Sequence, residues 1–528
     1  MQKVLGTAGL LVSLLFGLVW LAIGLASTNV ISIAVGWISP RPIVFFCLAA
    51  VVAGVLLIAA LRGSPALLPV AVGAFALVAF GPAAVLAVAV ILWSAYLIGE
   101  FVHPRTPEVS DQPERMFFRL AIGLLALALA MNVVIALPIN SLLTYGGVAI
   151  ALLILRPKGS TRLIQDLTAI SRAIKARLPL WELAGWIAIV VIVSIQLARA
   201  AFPERQYDAL AFHLLVAETV KETGRWHFAG DFLVGAVQPL GGDLLNSIAY
   251  VIADERGAKL MNYVFVLVGG TLLYSILLKF GRIPALLATL LLLSCPIAFL
   301  EADGIYADNF LLLCVTAALG ATALWPVLPS RDRLLSGAIV LGGLPTAKLH
   351  GVVVAAVFFV SLLVRQVWKD LVATRVRIWI LALGLVILGT TPYLIAFYVT
   401  GNPVFPFFNG VFQSPYFDPS NFKAPYSPHV TLGTIHDLTF HTSKHFQGTD
   451  GTFGFQVVTF LVVAVIAMVV RPRFFPITAL ALFVVYFLAI ASQTADARYF
   501  YASMPALSVA VAFLLSLFAE TSTRLATG

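Results

Sequence analysis

The chain has 528 residues, 61% of them hydrophobic and 11% charged, with a mean hydropathy of +1.01. So little polar surface cannot coat a water-soluble fold of this size, which excludes a soluble enzyme and leaves an all-α, polytopic transmembrane protein. The net charge of +9 does not call for nucleic acid, because Lys and Arg in a membrane protein collect on cytoplasmic loops that face anionic lipid.

The first apolar run, about 10–27, is followed by no small-residue cleavage site and is expected to be a retained helix. Further spans are predicted at about 43–61, 66–80, 82–100, 116–137, 141–156, 181–201, 258–279, 283–300, 307–325, 377–399, 456–470, 474–491 and 499–518. The stretch Arg156–Pro179 carries Arg156, Lys158, Arg162, Arg172, Lys175 and Arg177, so the positive-inside rule makes it cytoplasmic. Counting outward from it puts both termini in the cytoplasm, together with Arg331, Arg333, Arg365, Lys369, Arg375, Arg377, Arg471 and Arg473. Leu335–Val364 must then enter and leave from that side within about 30 residues, too few for two full spans. This predicts a short hairpin broken at Gly342-Gly343-Leu344-Pro345, with Lys348 and His350 near its tip.

The chain divides accordingly into an N-terminal six-helix block at 1–156, a basic cytoplasmic linker at 157–180 and a transmembrane module at 181–400. That module carries an outer loop at 202–257 and is followed by a large outer loop at 401–455 and C-terminal helices at 456–528. The first block keeps its charges at span ends and in the loop HPRTPEVSDQPER, as a scaffold or docking module would. Most acidic residues and nearly all histidines fall on the outer side, which is where chemistry is expected. Cys47, Cys295 and Cys314 lie in apolar segments without a CxxC pattern, so neither a disulfide nor a cysteine metal site is expected. No GxxxxGK[ST] loop and no GxSxG elbow occurs, which disfavours ATP-driven transport and serine hydrolysis.

Several outer segments carry groups able to do chemistry. Asp208, at the head of YDALAFHL, reads either as the N-cap of an interfacial helix or as a carboxylate placed for proton transfer. Gly242–Ile252 has an apolar face at helical spacing and is too short to span, so it is expected to lie in the membrane plane. Glu301, Asp303 and Asp308 crowd one helix mouth, either as a solvated turn with a cap or as groups for acceptor binding, metal coordination or assistance to Asp208. Lys348 and His350 are ionisable groups at membrane depth, where such groups are costly and point to function; the bland competitor for Lys348 is a snorkelling side chain. Arg498, near Asp496 and beside Tyr499, is either a second functional cation or the partner of Asp496. His436, Asp437, His441 and His445 supply metal-ligand chemistry without an HExxH motif and with a spacing that only partly matches one helix face. A divalent metal is therefore carried as a candidate cofactor, with Asp308, His436 and His441 as candidate ligands.

Five patterns stand in order between Trp181 and Phe518: YDALAFHL after the module's first helix, EADGIYADNFLLL between its third and fourth, GLPTAKLHG in the hairpin, GNPVFPFFNGVF opening the large loop and DARYFYASMP at the last outer turn. Together they resemble the GT-C superfamily of polyprenyl-phosphate-dependent glycosyltransferases, in particular the bacterial branch of aminoarabinose and protein O-mannosyl transferases. The chain departs from that family in its N-terminal six-helix block and in having a lone Asp208 where an acidic pair is sometimes found. The resemblance implies a bacterial inner-membrane enzyme working on the extracytoplasmic face, with a polyprenyl-phosphate-linked sugar as donor and a glycan, glycolipid or protein as acceptor. It implies Asp208 as general base, and Lys348, His350 and Arg498 as the groups that hold the donor phosphate. Asp303, Asp308 and Glu301, with His213, Tyr207 and Tyr499, would bind the acceptor or assist. Two other readings stand beside it. An O-antigen polymerase or ligase would rely on the histidines of 429–450, and a lipid-linked sugar flippase or solute transporter would place its working charges near mid-membrane.

Overall fold

The structure is a computed structural model that describes residues 2–28, 67–103, 113–173, 179–418, 431–445, 450–494 and 496–527. The expected span at 43–61, Cys47, His429 and part of the basic linker lie outside these residues.

Every described helix or turn belongs to an all-helical fold, with no strand among the described residues. A chain in hydrocarbon must satisfy each backbone N–H and C=O within itself, and apolar runs therefore coil into helices. Seven described helices are long and apolar enough to cross a membrane, or up to eleven segments if each bent helix pair is one span. This is the architecture of a multi-pass membrane protein. Prolines stand at helix starts where a missing N–H costs nothing, as in Pro82, Pro296 and Pro392.

Helix Gly241–Leu277 is the centre of the packing. It lies against Ala307–Leu324, Pro82–Val102 and Pro113–Val134, so residues on both sides of the basic stretch share one continuous apolar core. Pro82–Val102 and Pro113–Val134 cross at backbone contact: a Cβ on Gly123 would collide with the Ala95 carbonyl, and one on Gly99 with the Arg119 carbonyl. The end of Pro82–Val102 is stitched to the start of Ser330–Ala347. Arg331 donates to the carbonyls of Phe101 and Val102 at 3.1 Å, and the buried His103 ring lies 3.4 Å from Asp332. The first helix, Gln2–Ser27, packs elsewhere, on Gln456–Val470.

Two expected elements take a different form. The segment after Gly242 is helical, but it forms the first arm of Gly241–Leu277, which breaks at Ala253 and Asp254, where φ of Asp254 is +54°. Residues Gly241 to Ala249 are buried on every side, whereas an in-plane amphipathic helix would leave one face exposed. The hairpin is present, but its break is displaced. Ser330–Ala347 runs as helix through Pro345, and the chain turns at Lys348–His350 before entering Gly351–Val364. Gly342 serves a crossing instead of a break: a Cβ there would strike the Leu385 carbonyl, and one on Gly389 would strike the Gly342 carbonyl. Packing on this side outweighs the single backbone bond that Pro345 removes.

Candidate active site

The segment that carries Asp208 is anchored by Glu204. Its Oε1 accepts the N–H groups of Arg205 and Gln206 at 2.9 Å, its Oε2 accepts that of Ile305 at 2.9 Å, and Lys259 Nζ lies 3.6 Å away. This buried carboxylate ties the exit of Leu180–Ala200 to the loop before Ala307–Leu324. Beyond it the chain winds through a π-helical turn, Ala209–His213, closed by the Leu214 N–H on the Ala209 carbonyl. Such turns widen a helix and re-aim its side chains.

Asp208 stands at the mouth of that turn without capping it, since its side chain makes no cap hydrogen bond. Its Oδ2 accepts instead from Arg498 Nη1 at 2.7 Å. Asp208 is 47% exposed and Arg498 13%, so the carboxylate faces outward and the guanidinium inward. Arg498 belongs to the 3₁₀ turn Ala497–Ser503, which Asp496 caps by accepting the Arg498 N–H at 3.0 Å. The expected Asp496 pairing is therefore with the Arg498 backbone, while the guanidinium is given to Asp208. Burial pushes the Asp496 carboxyl above its usual range, against the pull of Arg498.

Behind Arg498 lies Asp308, 2% exposed, in the first turn of Ala307–Leu324. Lys348 Nζ donates to both of its oxygens at 2.9 and 3.0 Å, and Arg498 Nε is 4.0 Å from its Oδ2. The result is a line of alternating charge, Asp208–Arg498–Asp308–Lys348, drawn from four distant segments. Aromatic rings hold the cations in place: Lys348 lies 4.2 Å over Tyr499 and Arg498 4.9 Å over Tyr306. His350 is half-buried against Tyr499, at 4.9 Å between ring centroids, with its Nδ1 buried and unpartnered.

The other candidates separate into neighbours of this line and bystanders. His213 Nδ1 lies 2.8 Å from Oδ1 of the buried Asp243, and its ring meets Tyr306 edge-on at 6.2 Å. Glu301 is fully buried with neither carboxylate oxygen partnered. Asp303 pairs with Arg199 at 2.9 Å and lies 3.8 Å from Arg205, binding Leu180–Ala200 to Pro296–Asp303 outside the line. Tyr207 is exposed. The candidate metal ligands do not converge. Asp308 is held by Lys348, and His436 accepts from Trp20 Nε1 at 3.1 Å and packs on Phe440 and His441. Among the described residues no three His, Cys, Asp or Glu side chains are placed to share an ion.

Sequence reasoning did not single out Glu204, Lys259, Asp243 or Arg199. Glu204 and Asp243 carried a weak local signal, an acid just before YDAL and an acid after two glycines. The partners of both lie far along the chain.

The arrangement offers a half-exposed carboxylate anchored through one oxygen. Among the described residues one N–H of the Arg498 guanidinium is used in a hydrogen bond, and Nε is buried without one. A guanidinium has five such donors and an ammonium three, so both cations retain capacity for an anion. Compared with protein-family models, curated proteins and solved structures, the chain gives no match.

Proposed function

We propose that the protein is an integral-membrane glycosyltransferase of GT-C type that moves a sugar, with inversion, from a polyprenyl-phosphate donor to a hydroxyl on an extracytoplasmic glycan, glycolipid or protein. The observation that carries the reading is the line Asp208–Arg498–Asp308–Lys348. The acceptor O–H gives its proton to Asp208 as its oxygen bonds to the anomeric carbon. The bond from that carbon to the phosphate oxygen breaks, and polyprenyl phosphate leaves with the electron pair. Arg498 and Lys348 turn their remaining N–H donors to the departing phosphate, where charge develops. Asp308 keeps both cations in place, and Tyr306 and Tyr499 fix their direction.

In this reading the Asp208 end of the helices faces outward across a bacterial inner membrane, with both termini inside, as the distribution of Lys and Arg supports. The histidine-based polymerase reading fits less well, because His436 is engaged by Trp20 and packed on Phe440. A lipid-linked sugar flippase is the second reading, favoured by the partly buried Lys348–Asp308 pair at the hairpin tip. Incubation of the purified full chain with a panel of polyprenyl-phosphate sugars and candidate acceptors, read by mass spectrometry, tests the proposal. The expected result is an acceptor heavier by one sugar together with free polyprenyl phosphate. Translocation of the lipid-linked sugar without a new glycosidic bond anywhere in the panel would favour the flippase.

A further inference from the structure

A second concentration of charge lies at the far ends of the same helices. Gly351–Val364 runs from His350, beside the Asp208 line, to Arg365; fourteen residues at about 1.5 Å each separate the two ends by about 21 Å. Phe474–Ala491 begins next to Arg473 and carries Tyr486 to the His350 side. Gly241–Leu277 bears Asp243 and Lys259 near the site and ends before Lys279.

Lys279 and Arg473 sit on one run of touching phenylalanines, and Arg365 lies on Phe474, next to that run in sequence. Lys279 Nζ is 3.5 Å over the Phe475 ring, Arg365 is 4.0 Å over Phe474, and Arg473 is 5.5 Å over Phe513. Phe280 joins them, stacked on Phe475 with centroids 6.2 Å apart and leaning on Phe513 at 5.8 Å. Neighbouring cations at this end have carboxylates: Arg471 pairs with Glu520 at 2.7 Å, and Arg282 lies 3.9 Å from Glu182. Among the described residues no carboxylate lies within ion-pair distance of Lys279, Arg365 or Arg473, and Arg365 Nε is buried without a hydrogen-bond partner. Like charges left without carboxylates on neighbouring apolar rings repel one another, and an anion bound among them relieves that repulsion.

We infer that Lys279, Arg365 and Arg473 form a binding site for the phosphate of an anionic phospholipid, with the acyl chains lying along the apolar helices below. The ligand chemistry is a phosphate diester over a cation and aromatic platform at a membrane surface. The site is separate from the proposed donor site, about one helix length away, and does not depend on that reading.

The test uses the delipidated full chain in detergent and native mass spectrometry with phosphatidylglycerol, phosphatidylcholine or inorganic phosphate. Wild type is expected to retain phosphatidylglycerol and to release phosphatidylcholine at the same concentration. Each of Lys279→Gln, Arg365→Gln and Arg473→Gln should weaken retention by about fivefold, while Arg471→Gln, whose charge is already matched, should not. The triple exchange Lys279→Arg, Arg365→Lys and Arg473→Lys keeps the charges and should keep the lipid, which covers the case of a Gln variant that fails to fold. Equal retention of phosphatidylcholine, or unchanged retention when all three are Gln, would overturn the site. Displacement of the lipid by millimolar inorganic phosphate would overturn the lipid assignment in favour of a free anion.

Discussion

Lys348 and Asp308 pair a half-buried ammonium with a buried carboxylate, and the two halves are not equivalent to lose. Lys348→Met leaves a buried carboxylate with Arg498 at 4.0 Å as its remaining cation, which is expected to cost about 3–5 kcal/mol. Combining it with Asp308→Asn removes the stranded charge, so the double variant should melt above Lys348→Met alone. A double variant that melts lower, at the sum of the single losses, would show that the pair is not coupled. At this scale Asp208, Lys348 and Arg498 were legible because an ionisable group amid apolar sequence is costly and stands out. Their convergence is a matter of geometry: Arg498 and Asp208 are 290 positions apart. The His213–Asp243 contact spans 30 positions with no motif to announce it. The capping reading of Asp208 failed for a related reason, since a local amide and a distant guanidinium compete for one carboxylate and the charged donor makes the stronger bond.

Helix positions were legible from apolar length, since only intrasegment hydrogen bonding satisfies a backbone in lipid. The breaks were not. Gly342 and Pro345 look like a helix stop, yet Gly342 is spent on the crossing with Val376–Leu388, and the turn falls three residues after Pro345, at Lys348. Small residues at crossings should be sensitive in proportion: Gly123→Val places side-chain atoms against the Ala95 carbonyl and should destabilise by about 1–3 kcal/mol, seen as a lower melting temperature than that of wild type. The seam between Pro82–Val102 and Ser330–Ala347 gives a pH dependence. Burial pushes the His103 imidazole below its usual range, against the pull of Asp332. The unfolded chain therefore binds more protons than the folded chain once the pH falls below about 6.5. Stability contributed by His103 is full above that pH and is lost as pH falls toward the folded value. The drop in melting temperature between about pH 7.5 and about pH 5.5 should be smaller in His103→Gln, and an unchanged drop would remove His103 from the seam.

Across the whole molecule, the described helices run between two chemically different ends. One end gathers carboxylates, cations and tyrosines around Asp208, and the other holds unmatched cations on phenylalanines. The basic stretch at 157–180 marks a change of composition, but the apolar core crosses it, because Pro82–Val102 and Pro113–Val134 pack directly on Gly241–Leu277. Composition does not reveal which apolar face meets which, so this continuity could not be read from the sequence. A chain beginning near residue 157 would expose that face of Gly241–Leu277 and is expected to aggregate in gel filtration, whereas a monodisperse product would mean that the later helices fold alone. The proposed chemistry depends on one carboxylate at one end of this assembly. Transfer from a polyprenyl-phosphate sugar by wild type and by Asp208→Asn, both monodisperse and with matching melting temperatures, tests it most directly. A loss of about 100-fold or more is expected in the variant, and full transfer by Asp208→Asn would contradict the assignment of Asp208 as the base.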